Sequence, residues 1–301
     1  MRRRNSPRTV LLTGAASGIG RACALELARA GDRLGLVDRD RDGLEAAASE
    51  ARALGATVTT FLVDLADPVA LDQLAQDAPA ELGPIDVLYN NAGVAVIKPL
   101  DRTLDDDWRW IFDVNVWAPI RLTRALVPAM ARRGRGQIVM TASLAGLMGA
   151  PGMVAYSTTK FALVGFSEAL RAELAPFGID ITVICPGYIK TGLHRATRYD
   201  NDAFERMVDA PPDWYGVPID DAARAIVRAI DRRDPQLVLG IERLGWYLKR
   251  FAPAVSFALS SLAARRMGLV AGPTPKRTLP AWAPRWATRR MSWLAPDGGA
   301  R

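Results

Sequence analysis

Short apolar runs alternate with longer amphipathic stretches from residue 9 to about residue 240, and glycines close several of the helical stretches. No other feature of the chain limits its fold so strongly. Parallel strands cannot be joined by a tight turn and need a crossover, usually a helix. A chain that repeats strand and helix therefore builds a parallel sheet covered on both faces. Strands are expected at 9–13, 33–38, 58–64, 85–90, 137–142, 180–185 and 236–239. Helices are expected at 19–30, 44–54, 70–80, 108–132, 154–176 and 221–231, with Gly31 and Gly55 as stops. The expected fold class is α/β, one doubly wound parallel sheet over 9–240 with helices on both faces. Residues 1–8 are expected as a basic leader without order. Residues 241–301 are expected as a basic, helical or irregular extension in which Pro and Trp are frequent and no strand follows.

The bulk numbers remove several function classes. A chain of 301 residues fits one large domain with an appendage, or two small ones. Its two cysteines, Cys23 and Cys185, lack metal-type spacing and form no disulfide framework, so a reducing cytosol is the default location. A single histidine, His194, makes a histidine triad or a multi-histidine metal site improbable, and no metal is expected. Met1-Arg2-Arg3-Arg4 is followed by an apolar run too short for a secretory signal, and no apolar stretch is long enough to span a bilayer.

Charge is segregated. From Gly240 to Arg301 there are eleven Lys or Arg against Glu242 and Asp297, a net of +9, which leaves −2 for the rest of a chain of formal charge +7. A nucleic-acid-binding domain would carry its basic surface on the folded module, so no nucleic-acid partner is expected.

The first strand runs into Thr13-Gly14-Ala15-Ala16-Ser17-Gly18-Ile19-Gly20, and a helix follows. Such a strand–turn–helix sets backbone N–H groups and the positive helix end beside a pyrophosphate. Gly14 permits the tight turn, Gly18 the approach of phosphates, and Gly20 the packing of helix on strand. The spacing is GxxxGxG rather than the commoner GxGxxG, and a glycine-rich turn without a ligand is the competing reading. Asp38 closes the second strand where an acid can bind adenosine ribose hydroxyls and repel a 2′-phosphate, so NAD is expected over NADP. Arg39 is placed to soften that preference, and Asp64 to hold the adenine amino group.

Six motifs in register carry a resemblance. Thr13–Gly20, Asn90-Asn91-Ala92-Gly93, Asn115, Ser143, Tyr156-x-x-x-Lys160 and Pro186-Gly187 stand in the order and spacing of the short-chain dehydrogenase/reductase family. The resemblance spans roughly residues 9–240. It implies a Rossmann-type fold, a nicotinamide cofactor (NAD, with NADP as the alternative), and a catalytic set of Asn115, Ser143, Tyr156 and Lys160. It further implies cofactor contacts from Gly14, Ser17, Gly18, Ile19, Gly20, Asp38, Asp64, Asn91, Ala92, Gly93, Tyr156, Lys160, Pro186, Gly187 and Thr191. Thr191 would meet the nicotinamide carboxamide, and Asn115 would anchor a water that relays protons to Lys160.

The chemistry stands beside the resemblance. Tyr156 and Lys160, four apart, share one helix face. A free phenol is a poor base at neutral pH, and a nearby ammonium lowers its pKa. Tyr156 can then take or give the proton of an alcohol, with Ser143 holding the substrate oxygen. Each residue also has a structural alternative: Ser143 capping a turn, Asn115 satisfying a buried backbone group, Tyr156 and Lys160 as a surface pair. His194 is expected as a surface residue in the segment covering the substrate.

The expected substrate wall is apolar: Val94, Val96, Ile97, Leu144, Leu147, Met148 and Met153, closed by Trp214 and Tyr215. No Arg pair is placed to clamp an anion, so a neutral, lipophilic alcohol or ketone is expected. A homo-oligomer built through the helices near Trp117–Arg132 and Val154–Pro176 follows from the resemblance, with Ala162, Leu163 and Phe166 as consistent apolar residues. In the extension, Leu244, Tyr247, Leu248, Phe251, Val255, Phe257, Leu259 and Leu262 suggest an apolar helical face, and Trp282, Trp286 and Trp293 alternate with Arg285, Arg289 and Arg290. Arg and Trp together suit an anionic membrane surface; an extra helix over the site or a subunit contact is the competing reading. A cofactor-binding regulator without chemistry and a peripheral membrane interaction protein are the alternatives to an active dehydrogenase.

Overall fold

The computed structural model describes residues 6–189, 197–200 and 215–266. The chain divides into two compact units, Met1–Leu269 and Val270–Arg301, and the second lies wholly outside the described residues. The central sheet has seven strands, all parallel, in the order β3-β2-β1-β4-β6-β7-β9. They are β1 (Thr9–Thr13), β2 (Arg33–Asp38), β3 (Val58–Leu62), β4 (Val87–Asn90), β6 (Gly136–Thr141), β7 (Ile179–Pro186) and β9 (Gln236–Leu239). The chain winds outward in both directions from β1, so the strand order reverses between β1 and β4. In open α/β sheets ligands bind beyond the carboxyl ends of the strands at such a point.

Helices α1 (Gly18–Arg29), α2 (Arg41–Ala53) and α3 (Pro68–Leu82) follow the first three strands. Asp67 caps α3 by accepting from the Val69 and Ala70 amides, and Pro68 fits the first turn because its missing N–H is not needed there. Helix α7 (Ile219–Arg232) packs with α1 on one face of the sheet, burying Ala223, Ile226, Val227 and Ile230 with Val10, Leu12, Leu27 and Leu36. On the other face α3, α5 (Ala118–Arg132) and α6 (Val154–Leu174) bury Leu74, Leu122, Leu126, Leu163 and Val164 against Leu88, Ile138 and Val183.

Three features differ from the sequence expectation. The helix expected at 108–132 is α4 (Asp105–Phe112), a π-helical turn at Asp113–Trp117, and then α5. A small parallel pair, β5 (Ala95–Ile97) and β8 (Thr197–Tyr199), lies outside the main sheet. Leu163, offered above as an interface residue, is buried in the core, and Phe166 packs against the same cluster.

Two segments beyond the expected sheet are described. Arg8 is tied to the body: its amide and guanidinium donate to Asp32, and it pairs with Asp231 at 3.2 Å. After β9 come α8 (Arg243–Phe251) and α9 (Pro253–Arg266). Among the described residues no helix is long and apolar enough to cross a membrane.

Candidate active site

A cavity of about 540 Å³ opens at the carboxyl ends of β1, β2, β4, β6 and β7. At one end lie Gly14, Ser17, Gly18, Ile19, Asp38, Arg39 and Asp64; at the other, Ser143, Tyr156, Lys160, Tyr188 and Tyr215.

The first end is built by the glycine turn. Gly14 and Gly18 have φ of 70° and 56°, the left-handed region that a Cβ disfavours. Gly20 does not line the cavity; a Cβ there would collide with the Gly14 carbonyl, so this glycine serves the close packing of α1 on the turn. Ser17, at the head of α1, makes no side-chain cap, and the first turn of α1 holds no acidic residue. Ser17, Gly18 and Ile19 line the cavity, which places the positive helix end against it. A phosphate-bearing ligand fits this cradle.

The Asp38 carboxylate accepts from the Ala16 amide at 2.9 Å and the Asp40 amide at 3.0 Å. Two backbone donors thus fix an anion at the cavity edge. Arg39 leans toward Asp64 at 3.7 Å, both half-exposed, a pairing worth little in water. Asn91 staples the next loop to the turn: its side-chain amide donates to the Thr13 and Gly14 carbonyls, and Thr13 Oγ1 accepts from the Asn91 and Ala92 amides. Asn91, Ala92 and Gly93 consequently form part of the wall.

At the far end, Ser143 follows β6 and its hydroxyl accepts from the Ala145 amide at 3.1 Å, starting a short 3-10 turn. The same hydroxyl donates to the Pro186 carbonyl at 3.4 Å. Gly146 lets this segment lie on α6, where a Cβ would press into the Lys160 backbone within 2.5 Å. Lys160 is buried, and its ammonium donates to the Thr141 carbonyl at 2.9 Å. Burial lowers its pKa to about 8. It stands 5.6 Å from the Tyr156 ring centroid. Burial raises the Tyr156 pKa, and the contact that lowers it is Ser143, not Lys160. Burial therefore outweighs the Ser143 contact at the Tyr156 phenol.

Asn115 sits within the π-helical turn, fully buried and outside the cavity. Its side chain accepts from the Val94 amide at 2.8 Å and donates to the Val94 carbonyl and to Thr159 Oγ1. The side chain is thus held by the Val94 backbone and by Thr159. Such π-turns often mark functional sites because they break the regular backbone ladder.

Of the expected apolar wall, Val94, Ile97, Leu144, Met148, Met153 and Tyr215 line the cavity. Val96 instead belongs to the core under α4, and Leu147 packs against the main core. Pro186 and Gly187 line the cavity; Thr191, His194 and Trp214 lie outside the described residues. Sequence reasoning missed Val114, Tyr188, Ile189, Thr197, Tyr199 and Glu242. Thr197 and Tyr199 come with β8, which is tied to the body through Arg198. Its guanidinium reaches Asp107 at 3.1 Å and covers the Trp110 ring at 4.1 Å. Lys98 reaches the same carboxylate at 2.7 Å. Burial would raise the Asp107 pKa, but its hydrogen bonds from Lys98 and Arg198 hold it below the ordinary value.

The family model for short chain dehydrogenases matches residues 8–202. The chain belongs to the short-chain dehydrogenase family. It is 34% identical over 266 residues to dehydrogenase/reductase SDR family member 7B of Xenopus laevis, covering 85% of this chain and 82% of that protein. Among solved structures it is similar to a Sphingobium yanoikuyae short-chain dehydrogenase in complex with NADPH. That match has TM-score 0.69 and 28% identity, over 90% of this chain and 98% of that one. It is similar also to a Burkholderia phymatum short-chain dehydrogenase/reductase in complex with NAD, with TM-score 0.71 and 28% identity. Here 91% of this chain and 99% of that one are covered.

Proposed function

We propose that this family member is an NAD(P)-dependent oxidoreductase. It moves a hydride between the nicotinamide ring and the carbon of a neutral, lipophilic alcohol or ketone, and it prefers NAD. The observation that carries the reading is one continuous cavity with the first turn of α1 at one end and Ser143, Tyr156 and Lys160 together at the other. Bound nicotinamide supplies or accepts the hydride. Ser143 donates to the substrate oxygen and Tyr156 passes its phenolic proton to it in reduction, or takes one back in oxidation. Lys160 holds positive charge beneath the reacting oxygen and can reach a bound ribose. The intact set argues against a silent regulator.

Asp38 supports NAD, because an anion fixed by two amides repels a 2′-phosphate. The related structures hold NAD in one case and NADPH in the other, so the preference rests on Asp38. Apolar Val94, Ile97, Leu144, Met148 and Met153 support a lipophilic substrate. Among the described lining residues the cations are Lys160 and Arg39, and Arg39 lies at the Asp38 end. A panel of alcohols and ketones of graded charge, followed through the fluorescence of NADH and NADPH, tests the reading. Turnover of neutral lipophilic members is expected; turnover confined to carboxylates or phosphates contradicts it.

A second role rests on α8 and α9, which leave Leu244, Phe251, Val255, Phe257 and Leu259 exposed, Phe251 to 78%. Arg243, Arg250 and Arg265 accompany them, and neither helix contains an acidic residue. This combination supports reversible attachment to an anionic membrane surface, which would bring a lipophilic substrate near the cavity.

A further inference from the structure

The start of α8 reaches back into the cavity. Gly240, with φ of 99°, turns the chain after β9, and the Glu242 side chain folds over Gly187 and Gly240. A Cβ at either glycine would collide with Glu242 Oε2, so both positions leave room for this carboxylate. Oε1 accepts from the Tyr188 amide at 3.1 Å. Oε2 is shut from solvent without a hydrogen-bond partner among the described residues. Burial, with Glu242 beside it, pushes the Tyr215 phenol far above its ordinary pKa. The Tyr188 and Tyr215 rings stack with centroids 5.5 Å apart. Tyr188, Tyr215 and Glu242 all line the cavity.

One and two turns further along α8, the same face meets the opposite wall. Gly245 faces Met148, and the Lys249 ammonium donates to the Leu147 carbonyl at 2.7 Å. That wall is the segment begun by Ser143. Helix α8 is thus tied to both sides of the cavity, to the segment after Ser143 and to the loop after Pro186.

We infer that Glu242 is a positioning residue that holds Tyr188 and Tyr215 as one wall of the substrate end, so that the extension takes part in substrate selection. The inference rests on reading this cavity as the active site. Glu242→Ala removes the acceptor for the Tyr188 amide, whereas Glu242→Gln keeps one. A hydrogen bond to a charged group is worth about 1.5–3 kcal/mol, or roughly ten- to a hundredfold.

The test has two readouts on the full chain. Hydrogen exchange, which needs no turnover, should quicken in Glu242→Ala at the segment containing Tyr188 and stay unchanged in α6; Glu242→Gln should resemble wild type. With substrates of graded size, Glu242→Ala should raise KM about tenfold and alter the ranking of substrates, with kcat and the NAD dissociation constant nearly unchanged. Unchanged exchange at Tyr188, or a uniform fall in kcat that leaves KM and the ranking intact, overturns the inference. If wild-type protein turns over no alcohol or ketone, the functional reading fails on its own. The exchange result then still decides whether Glu242 holds the loop.

Discussion

Lys160 Nζ lies 2.9 Å from the carbonyl oxygen of Thr141, the last residue of β6. The bond joins helix α6, which carries Tyr156, to the strand that delivers Ser143. It also keeps a buried cation satisfied while its pKa falls to about 8.

That depression has a direction that can be checked. Below about pH 8 Lys160 is an ammonium, and above it the charge is lost. If the charge assists proton delivery by Tyr156, kcat/KM for ketone reduction should stay level at neutral pH and decline as pH rises through this value. The decline should vanish in Lys160→Met, whose rate should be low throughout. A wild-type profile that stays flat well into the alkaline range would refute the role.

Asp38→Ala should narrow the gap between NAD and NADP. The measurement is kcat/KM for both cofactors with one substrate. Wild type should favour NAD, and the variant should gain on NADP, because a fixed anion no longer faces the 2′-phosphate. Preference for NADP in wild type would mean that Arg39 captures the phosphate.

Much of this was legible in the sequence, and the failures have physical causes. The strand–helix alternation marks all seven strands of the main sheet because each is a short run rich in apolar and β-branched residues bounded by glycine or a polar turn. The π-helical turn at Asp113–Trp117 escaped because Asp105–Arg132 reads as one amphipathic pattern, and nothing local announces a widened turn. Strands β5 and β8 are three residues each, too short for a period to register. The motifs gave Ser143, Tyr156 and Lys160, but not that Asn115 spends its side chain on Val94. Glu242 was invisible as a site residue because only the fold brings it to Tyr188, 54 positions away.

Full-length protein should co-sediment with anionic vesicles at low salt, less at high salt, and not with neutral vesicles. Each basic residue near such a surface contributes about 1 kcal/mol. Phe251→Glu should weaken the binding without changing turnover of a water-soluble substrate. Protein that stays in the supernatant with anionic vesicles at low salt would contradict attachment. Removing everything after residue 240 is a poor test, since it also deletes Glu242 and Lys249 from the walls of the cavity.

Light scattering at micromolar concentration should give the mass of a dimer or larger assembly. Helices α5 and α6 are the proposed interface, with Trp117, 51% exposed, at its edge. Trp117→Glu should lower the mass toward that of a single chain. A strictly monomeric wild type would remove this proposal.

The central claim is that the Tyr156 hydroxyl carries the proton of the reaction. The most direct measurement is turnover by Tyr156→Phe, with NAD binding and thermal unfolding measured on the same sample. Loss of the general acid should lower kcat by about 10²- to 10⁴-fold, with the NAD dissociation constant nearly unchanged, because the glycine turn, Asp38 and Lys160 remain. A folded Tyr156→Phe protein with near-normal turnover would contradict the account.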